Sequence, residues 1–244
     1  MPVPTLIFLH ALGMSAATWR PVRERLGGIA SVAIDLPGFG AAADKGSGDV
    51  AEMMDAVRAV VAQIGTCVLV GHSMGGKIAT LIAADAGPAV AGVVLVAASP
   101  PSPEPMDEAR RQAMIDWFAD GQISDADAAA FVDANCAGRL PSPLRDQAIA
   151  EVRRSRPAAW TGWLTRGSRE DWAVRVGTLP MPALIVAGAE DGDLGEAAQR
   201  RLNLPHYTAG RVEAVADAAH LMPLEQPDRL AALIVDHLKA IDRS

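Results

Sequence analysis

Six consecutive residues, Gly71-His72-Ser73-Met74-Gly75-Gly76, carry the strongest chemical signal in this 244-residue chain. The apolar run Cys67 to Val70 precedes them, and a stretch with helical spacing opens at about Lys77. In that setting G-x-S-x-G describes a sharp strand-to-helix turn. The turn strains the serine backbone, and glycines flank it because side chains there would clash. The helix behind Ser73 aims free N–H groups and a positive dipole end at any oxyanion formed there. Ser73 therefore reads as a nucleophile for acyl chemistry. A mere Gly-rich turn would not need to sit between a strand and a helix.

A serine hydroxyl is a weak nucleophile and needs a base, itself oriented by a carboxylate. The turn Gly188-Ala189-Glu190-Asp191-Gly192-Asp193 offers three carboxylates after an apolar strand, with Asp191 preferred over Asp193 and Glu190. Of the five histidines, His220 in Asp217-Ala218-Ala219-His220-Leu221-Met222-Pro223 best fits the base, again after a strand. His10 and His72 fall in loops beside Ser73, where holding backbone by hydrogen bonds is their expected task. His206 and His237 read as solvated, in a loop and on a terminal helix.

The elements that must position these groups follow from the apolar pattern. Continuous apolar runs at Thr5 to Leu9, Ser31 to Ile34, Cys67 to Val70, Val93 to Ala97 and Ala183 to Ala187 read as strands buried on both faces of a parallel sheet. A sixth is expected around Val212 to Val215. Asp49 to Ile64, Gly76 to Ala86 and Pro227 to Ile241 read as helices, so the class is α/β with a doubly wound, mostly parallel sheet of about six strands. From the Pro-rich Ser99 to Pro105 onward the alternation stops. Helix signals follow at Met106 to Ala119, Ser124 to Asn135 and Leu144 to Arg154. The organisation expected is a core built from residues 1–99 and 177–244, with a helical cap or lid inserted at 100–176. Four of the five tryptophans, Trp117, Trp160, Trp163 and Trp172, lie in that insertion. Trp160 or Trp163, with Leu221 beside His220, is the expected pocket wall, and a small apolar acyl or aromatic compound the expected substrate.

Composition narrows the function classes. A formal charge of -7 and no basic block argue against a nucleic-acid partner. The longest apolar stretch, Ala89 to Ala98, is about half of what a membrane span requires, so no membrane partner and a cytoplasmic location are expected. Cys67 and Cys136 read as reduced thiols without metal spacing. No cofactor is implied: there is no Rossmann glycine pattern, and Gly76-Lys77 is followed by Ile78, not by the Ser or Thr of a phosphate loop.

These residues resemble the α/β-hydrolase superfamily, in particular its small cap-bearing esterases, lactonases and carbon–carbon bond hydrolases, and the resemblance covers nearly the whole chain. Leu9-His10-Ala11-Leu12-Gly13 resembles the family's H-G-x-G loop, with Ala11 replacing the usual glycine. Asp35-Leu36-Pro37-Gly38-Phe39-Gly40 is similar to its D-x-P-G-x-G turn, and the segment from His220 to Pro227 resembles the one carrying its catalytic histidine. Gly188-Ala189-Glu190-Asp191 matches its G-x-x-D turn, which favours Asp191. The resemblance implies a Ser73, His220 and Asp191 triad, with the backbone N–H groups of Leu12 and Met74 as oxyanion donors. It also implies that the family's N-terminal hairpin has no counterpart, so the strand around Val32 becomes a sheet edge needing cover or a partner, such as a second copy in a homodimer. The activity expected is cleavage of a small carboxylic ester through an acyl-enzyme. Lactone or carbon–carbon bond hydrolysis by the same residues, a cofactor-independent oxygenase or perhydrolase, and a non-catalytic ligand receptor are the alternatives.

Overall fold

A computed structural model describes residues 4–242. Its frame is a six-stranded, entirely parallel sheet of β1 (Thr5–Leu9), β2 (Ser31–Ile34), β3 (Cys67–His72), β4 (Val90–Val96), β5 (Leu179–Gly188) and β6 (Tyr207–Val215), in the order β2-β1-β3-β4-β5-β6. This is the α/β class with a parallel sheet that the apolar pattern implied, and it agrees with the fold that the family resemblance implied. The chain leaves β1 toward the edge strand β2 and returns to the other side of β1 with β3, so the connections diverge between β1 and β3. Open sheets bind ligands at the carboxyl ends beside such a divergence.

Burial explains why the strands are continuous apolar runs. Every residue of β3 is buried, whereas all four of β2 are only half-buried, as expected at an edge. Alternate side chains feed two cores. Leu6, Phe8, Val68 and Val70 share a core with Trp19, Leu230, Ile234 and Leu238, while Ile7, Leu9 and Leu69 face the opposite layer. Six helices among the described residues accompany the sheet before the long interruption and after it. They are α1 (Arg20–Arg23), α2 (Val50–Ile64) and α3 (Met74–Ala86), then, later in the chain, α9 (Glu196–Leu202) and, in the last segment, α10 (Met222–Glu225), followed by α11 (Pro227–Ile241). Asp49 caps α2 by accepting from Ala51 N at 2.7 Å.

The segment 100–176 holds α4 (Glu108–Asp116), α5 (Asp125–Ala134), α6 (Ser142–Arg154), α7 (Pro157–Thr165) and α8 (Ala173–Val176), and no strand among the described residues. Ser124 caps α5 as its sequence implies, its hydroxyl accepting from Asp127 N. The first of these helices starts at Glu108, where the Asp107 carboxylate caps it by accepting from Arg110 N, and ends at Asp116, short of the expected Ala119. Phe118, Phe131, Val152, Trp160 and Trp163 pack in the same core as Leu12, Met14 and the inner face of α3. Lys77, fully buried on α3, ties the layers together. Its ammonium donates to the carbonyl oxygens of Ser102, Gly167 and Glu170 at 3.3, 3.1 and 2.8 Å. No described helix is long and apolar enough to cross a membrane.

Candidate active site

The turn after β3 is built by backbone constraints. Ser73 sits at φ 50°, one of three described non-glycine residues with positive φ, and α3 starts directly at Met74, not at Lys77. The reversal is complete within one residue, so the helix can begin through Gly75 and Gly76 despite their poor propensity. A Cβ on Gly75 would lie 2.6 Å from Leu9 O and 2.7 Å from His10 O, both main-chain atoms that cannot yield. The turn is pinned from both neighbouring strands: Ser73 N donates to Val96 O, Gly75 N to His10 O and Ser99 N to Ser73 O. Among the described residues the N–H groups of Leu12 and Met74 have no hydrogen-bond partner.

His10 and His72 both hold backbone, although His72 is the last residue of β3 and not part of a loop. His10 donates from Nδ1 to Ala11 O and accepts Leu36 N at Nε2, joining the loop after β1 to the Asp35–Gly40 turn. Asp35 finishes that junction by accepting from Ala16 N and Ala41 N. His72 donates from Nε2 to His220 O at 2.7 Å, so the residue before Ser73 fixes the loop that carries His220. Both rings are fully buried, and loss of hydration pushes their pKa values down, to about 4 for His10 and about 3 for His72.

The side chains of His220 and Asp191 are in contact. His220 Nδ1 lies 2.8 Å from Asp191 Oδ2, and Asp191 Oδ1 accepts Leu194 N at 3.0 Å. Burial favours neutral Asp191, but the hydrogen bond and charge of His220, with the N–H groups of Leu194 and Asp193, hold its carboxyl below the usual range. Burial likewise lowers the His220 pKa. The hydrogen bond and charge of Asp191 outweigh it, Glu104 adds to them and Arg110 opposes them, so the net shift is upward. Glu225 steadies the loop, accepting Ala219 N with one oxygen and Ala137 N of the 100–176 segment with the other. Leu221 N donates to Asn135 O, a second tie to that segment.

One cavity of about 230 Å³ brings these groups together. Ser73, His220, Asp191, Leu12 and Leu221 line it from the strand ends, and Glu104, Met106, Arg110, Met114, Phe131 and Trp163 from the segment 100–176. Trp160 does not line it. Its indole is fully buried between Phe118 and Phe131, with Nε1 donating to Met114 O, because filling the helix layer takes the larger share of this ring's area. The solvated reading of His237 is also corrected: the ring is buried on the inner face of α11, within reach of Arg211. His206 Nδ1 donates to Gly177 O. Among the described residues no group of three or more His, Cys, Asp or Glu side chains could hold a metal ion. Cys67 and Cys136 are free thiols that burial pushes up to about 11 and about 12.

A sequence model of the alpha/beta hydrolase family matches residues 6–233. The chain belongs to that family. Among curated proteins, this alpha/beta hydrolase is 33% identical over 99 residues to a 2-succinyl-6-hydroxy-2,4-cyclohexadiene-1-carboxylate synthase of Salmonella paratyphi B, covering 40% of this chain and 39% of the relative. The matched part thus spans about two fifths of the length of that curated relative. Among solved structures, an esterase from Exiguobacterium antarcticum superposes with a TM-score of 0.85 at 18% identity, over 97% of this chain and 92% of the other. A bromoperoxidase from Bacillus anthracis gives 0.84, also at 18% identity, over 97% and 92%. At that identity the likeness is one of fold.

The residues that the sequence pattern did not single out are those of the far wall: Glu104, Met106, Arg110, Met114 and Phe131. Glu104 had the clearest signal, a lone carboxylate in the Pro-rich run directly after the carboxyl end of β4.

Proposed function

We propose that this alpha/beta hydrolase cleaves a small carboxylic ester through an acyl-enzyme on Ser73, with His220 as base and Asp191 as its orienting partner. The observation that carries the reading is the 2.8 Å contact between His220 Nδ1 and Asp191 Oδ2 in the cavity that Ser73 also lines. That contact fixes the proton on Nδ1 and leaves the Nε2 lone pair free to accept the Ser73 proton. The Ser73 oxygen then bonds the ester carbon, and the Leu12 and Met74 N–H groups receive the oxyanion. His220 returns the proton to the leaving alcohol, and water, activated by the same imidazole, releases the acid. The helices of 100–176 act as a cap that sets the shape of the site.

Replacing Ser73 by Ala removes turnover of p-nitrophenyl butyrate by a factor on the order of 10⁴ or more. Retained turnover, or failure of a fluorophosphonate to label Ser73 in the wild type, refutes the assignment. His220 works only when neutral and its pKa is raised above 6.5, so kcat/KM falls on the acid side with a midpoint above that value. A rate that stays flat down to about pH 5 contradicts a histidine base.

Beside the match to a synthase whose named product is a carboxylate stands a second reading, in which the same three residues hydrolyse a carbon–carbon bond or a lactone. The cavity lining counts against a carboxylate-bearing substrate, since its one guanidinium, Arg110, is already paired with Asp193 at 2.5 Å. A side-by-side panel of esters, lactones and vinylogous diketones separates these chemistries by kcat/KM.

A further inference from the structure

The cavity that Ser73 lines also carries a carboxylate, Glu104, that the hydrolytic step does not use. Glu104 lies in the loop after β4, its N–H donating to Ser168 O at 2.8 Å. Its Oε2 accepts the hydroxyl of Ser99 at 2.5 Å, and Ser99, fully buried, donates its own N–H to Ser73 O at 3.0 Å. Two hydrogen bonds therefore fix the Glu104 carboxyl relative to the Ser73 backbone. Both groups line the same small cavity.

No cation neutralises it. Lys77, the nearest ammonium on α3, spends its donors on the carbonyls of Ser102, Gly167 and Glu170. Arg111 spends its guanidinium on Leu164 O, the Ser168 hydroxyl, the Glu108 carboxylate and the main-chain oxygen of Glu104 itself. Arg110 is paired with Asp193, and His220 with Asp191. Among the described residues Oε1 of Glu104 has no hydrogen-bond partner, so the carboxyl holds one accepted bond where an ionised carboxylate takes several. Four carboxyl groups, Glu104, Glu190, Asp191 and Asp193, line the cavity against one guanidinium and one imidazole. Glu104 is half-buried and its free oxygen is not sealed off, so a ligand that brings a donor can take that oxygen in place of water. Burial accordingly pushes the Glu104 pKa up, an effect that Ser99, His220, Lys77 and Arg111 offset only in part.

We propose that Glu104 selects the substrate: its carboxylate receives an ammonium or hydroxyl group carried on the acyl arm of an ester bound at Ser73, and it turns away acyl arms that end in a carboxylate. The proposal rests on reading the cavity as the acyl site, and it names that site's substrate class. The cavity is smaller than those that take drug-sized ligands, so the arm is only a few carbons long.

Three p-nitrophenyl esters of matched arm length test it: the 3-aminopropionate, the butyrate and the hemisuccinate. In the wild type, kcat/KM for the aminopropionate exceeds that for the hemisuccinate by about a hundredfold. Glu104→Gln, which keeps the shape and the Ser99 contact but not the charge, lowers that ratio at least tenfold, the scale of one charge-assisted hydrogen bond. A ratio that changes less than twofold overturns the proposal. Binding without turnover separates this from the hydrolase reading. In a Ser73→Ala background the anilides of 3-aminopropionate and succinate are added and the thermal midpoint is read. The aminopropionate anilide gives the larger upward shift, and adding Glu104→Gln removes the difference. If the wild type cleaves none of the esters yet the shifts keep this order, the ester-hydrolase reading falls and the selector stands. If the esters are cleaved but neither ratio nor shift responds to Glu104→Gln, the selector falls and the hydrolase reading stands.

Discussion

The two sides of the cavity are held in place by different physics. On the strand-end side, position is set by main chain: Ser73 by a forced positive φ, Asp191 and His220 by turns whose N–H and C=O groups are bonded to neighbouring loops. On the side formed by residues 100–176, position is set by side chains filling a layer, with Trp160 wedged between Phe118 and Phe131 and Lys77 clamping three carbonyls from below. Backbone constraints locate atoms to fractions of an ångström and tolerate few residue types. Packing tolerates many residues of similar volume. The strand-end side is therefore suited to chemistry, and the helical side to choosing what reaches it.

That division is broken if a helical-side substitution damages chemistry as badly as a strand-end one. Asp191→Asn keeps the shape but loses the charge that fixes the His220 tautomer, and its kcat falls by a factor on the order of 10⁴. Met106→Ala, across the cavity, changes KM several-fold and kcat by less than about threefold. Steady-state kinetics of the two variants on one ester decide the matter.

Stability reverses the ranking. Trp160 is fully buried and supplies the indole N–H that Met114 O accepts. Trp160→Ala leaves a cavity and an unpaired carbonyl, costing about 3–5 kcal/mol and lowering the thermal midpoint by roughly 10 °C. Asp191→Asn, by contrast, shifts the midpoint by a few degrees at most. A Trp160→Ala protein as stable as the wild type would mean that the helical layer is not a packed layer at all.

The same contrast explains what could be read from the chain. Gly71, Gly75 and Gly76 announce the elbow because a Cβ at these positions would meet Gly75 O, Leu9 O and Ala98 Cβ respectively, and the Asp35 to Gly40 turn is equally restrictive. Six parallel strands followed from the apolar runs, although β2 and much of β6 are only partly buried. Which tryptophan faces the cavity did not follow: Trp160 and Trp163 lie three residues apart on α7, and only packing with α4 and α5 decides between them. Lys77 could be excluded from a phosphate loop by the Ile78 that follows it, yet its role as a clamp depends on carbonyls about 25 to 93 positions away. His237 misled because a terminal helix with a polar face need not turn every polar residue to water.

Acid separates the two sides in another way. His10 and His72 stay neutral in the fold, with pKa values of about 4 and about 3, and take up protons near 6.5 once unfolded. Between those limits the unfolded chain binds more protons, so stability rises with pH and is lost as pH falls from about 6.5 toward 4. Each ring contributes about 3 kcal/mol or more to that loss. Residues 100–176 contain no histidine, and their Asp133–Arg145 pair, with Asp133 held below 3.8, weakens only in stronger acid. Hydrogen exchange at pH 7 and pH 5 checks this: amides of the turns at 10–14 and 73–77 lose protection first. Simultaneous loss in α5 and α6 would show that the two sides unfold as one unit.

The smallest effect is a gain. Ser73 holds a non-glycine backbone at φ 50°, a conformation that costs on the order of 1–3 kcal/mol and that glycine adopts freely. Part of that saving is returned, because glycine also gives the unfolded chain more freedom. Ser73→Gly therefore abolishes ester turnover while raising stability by about 1 kcal/mol, a shift of a few degrees in the thermal midpoint. A glycine introduced at a packed helical position, Ala159→Gly on α7, must lower it. If Ser73→Gly also lowers the midpoint, the elbow is held by interactions of the serine side chain and not by its backbone. The strand-end side would then share the packing logic of the helices facing it.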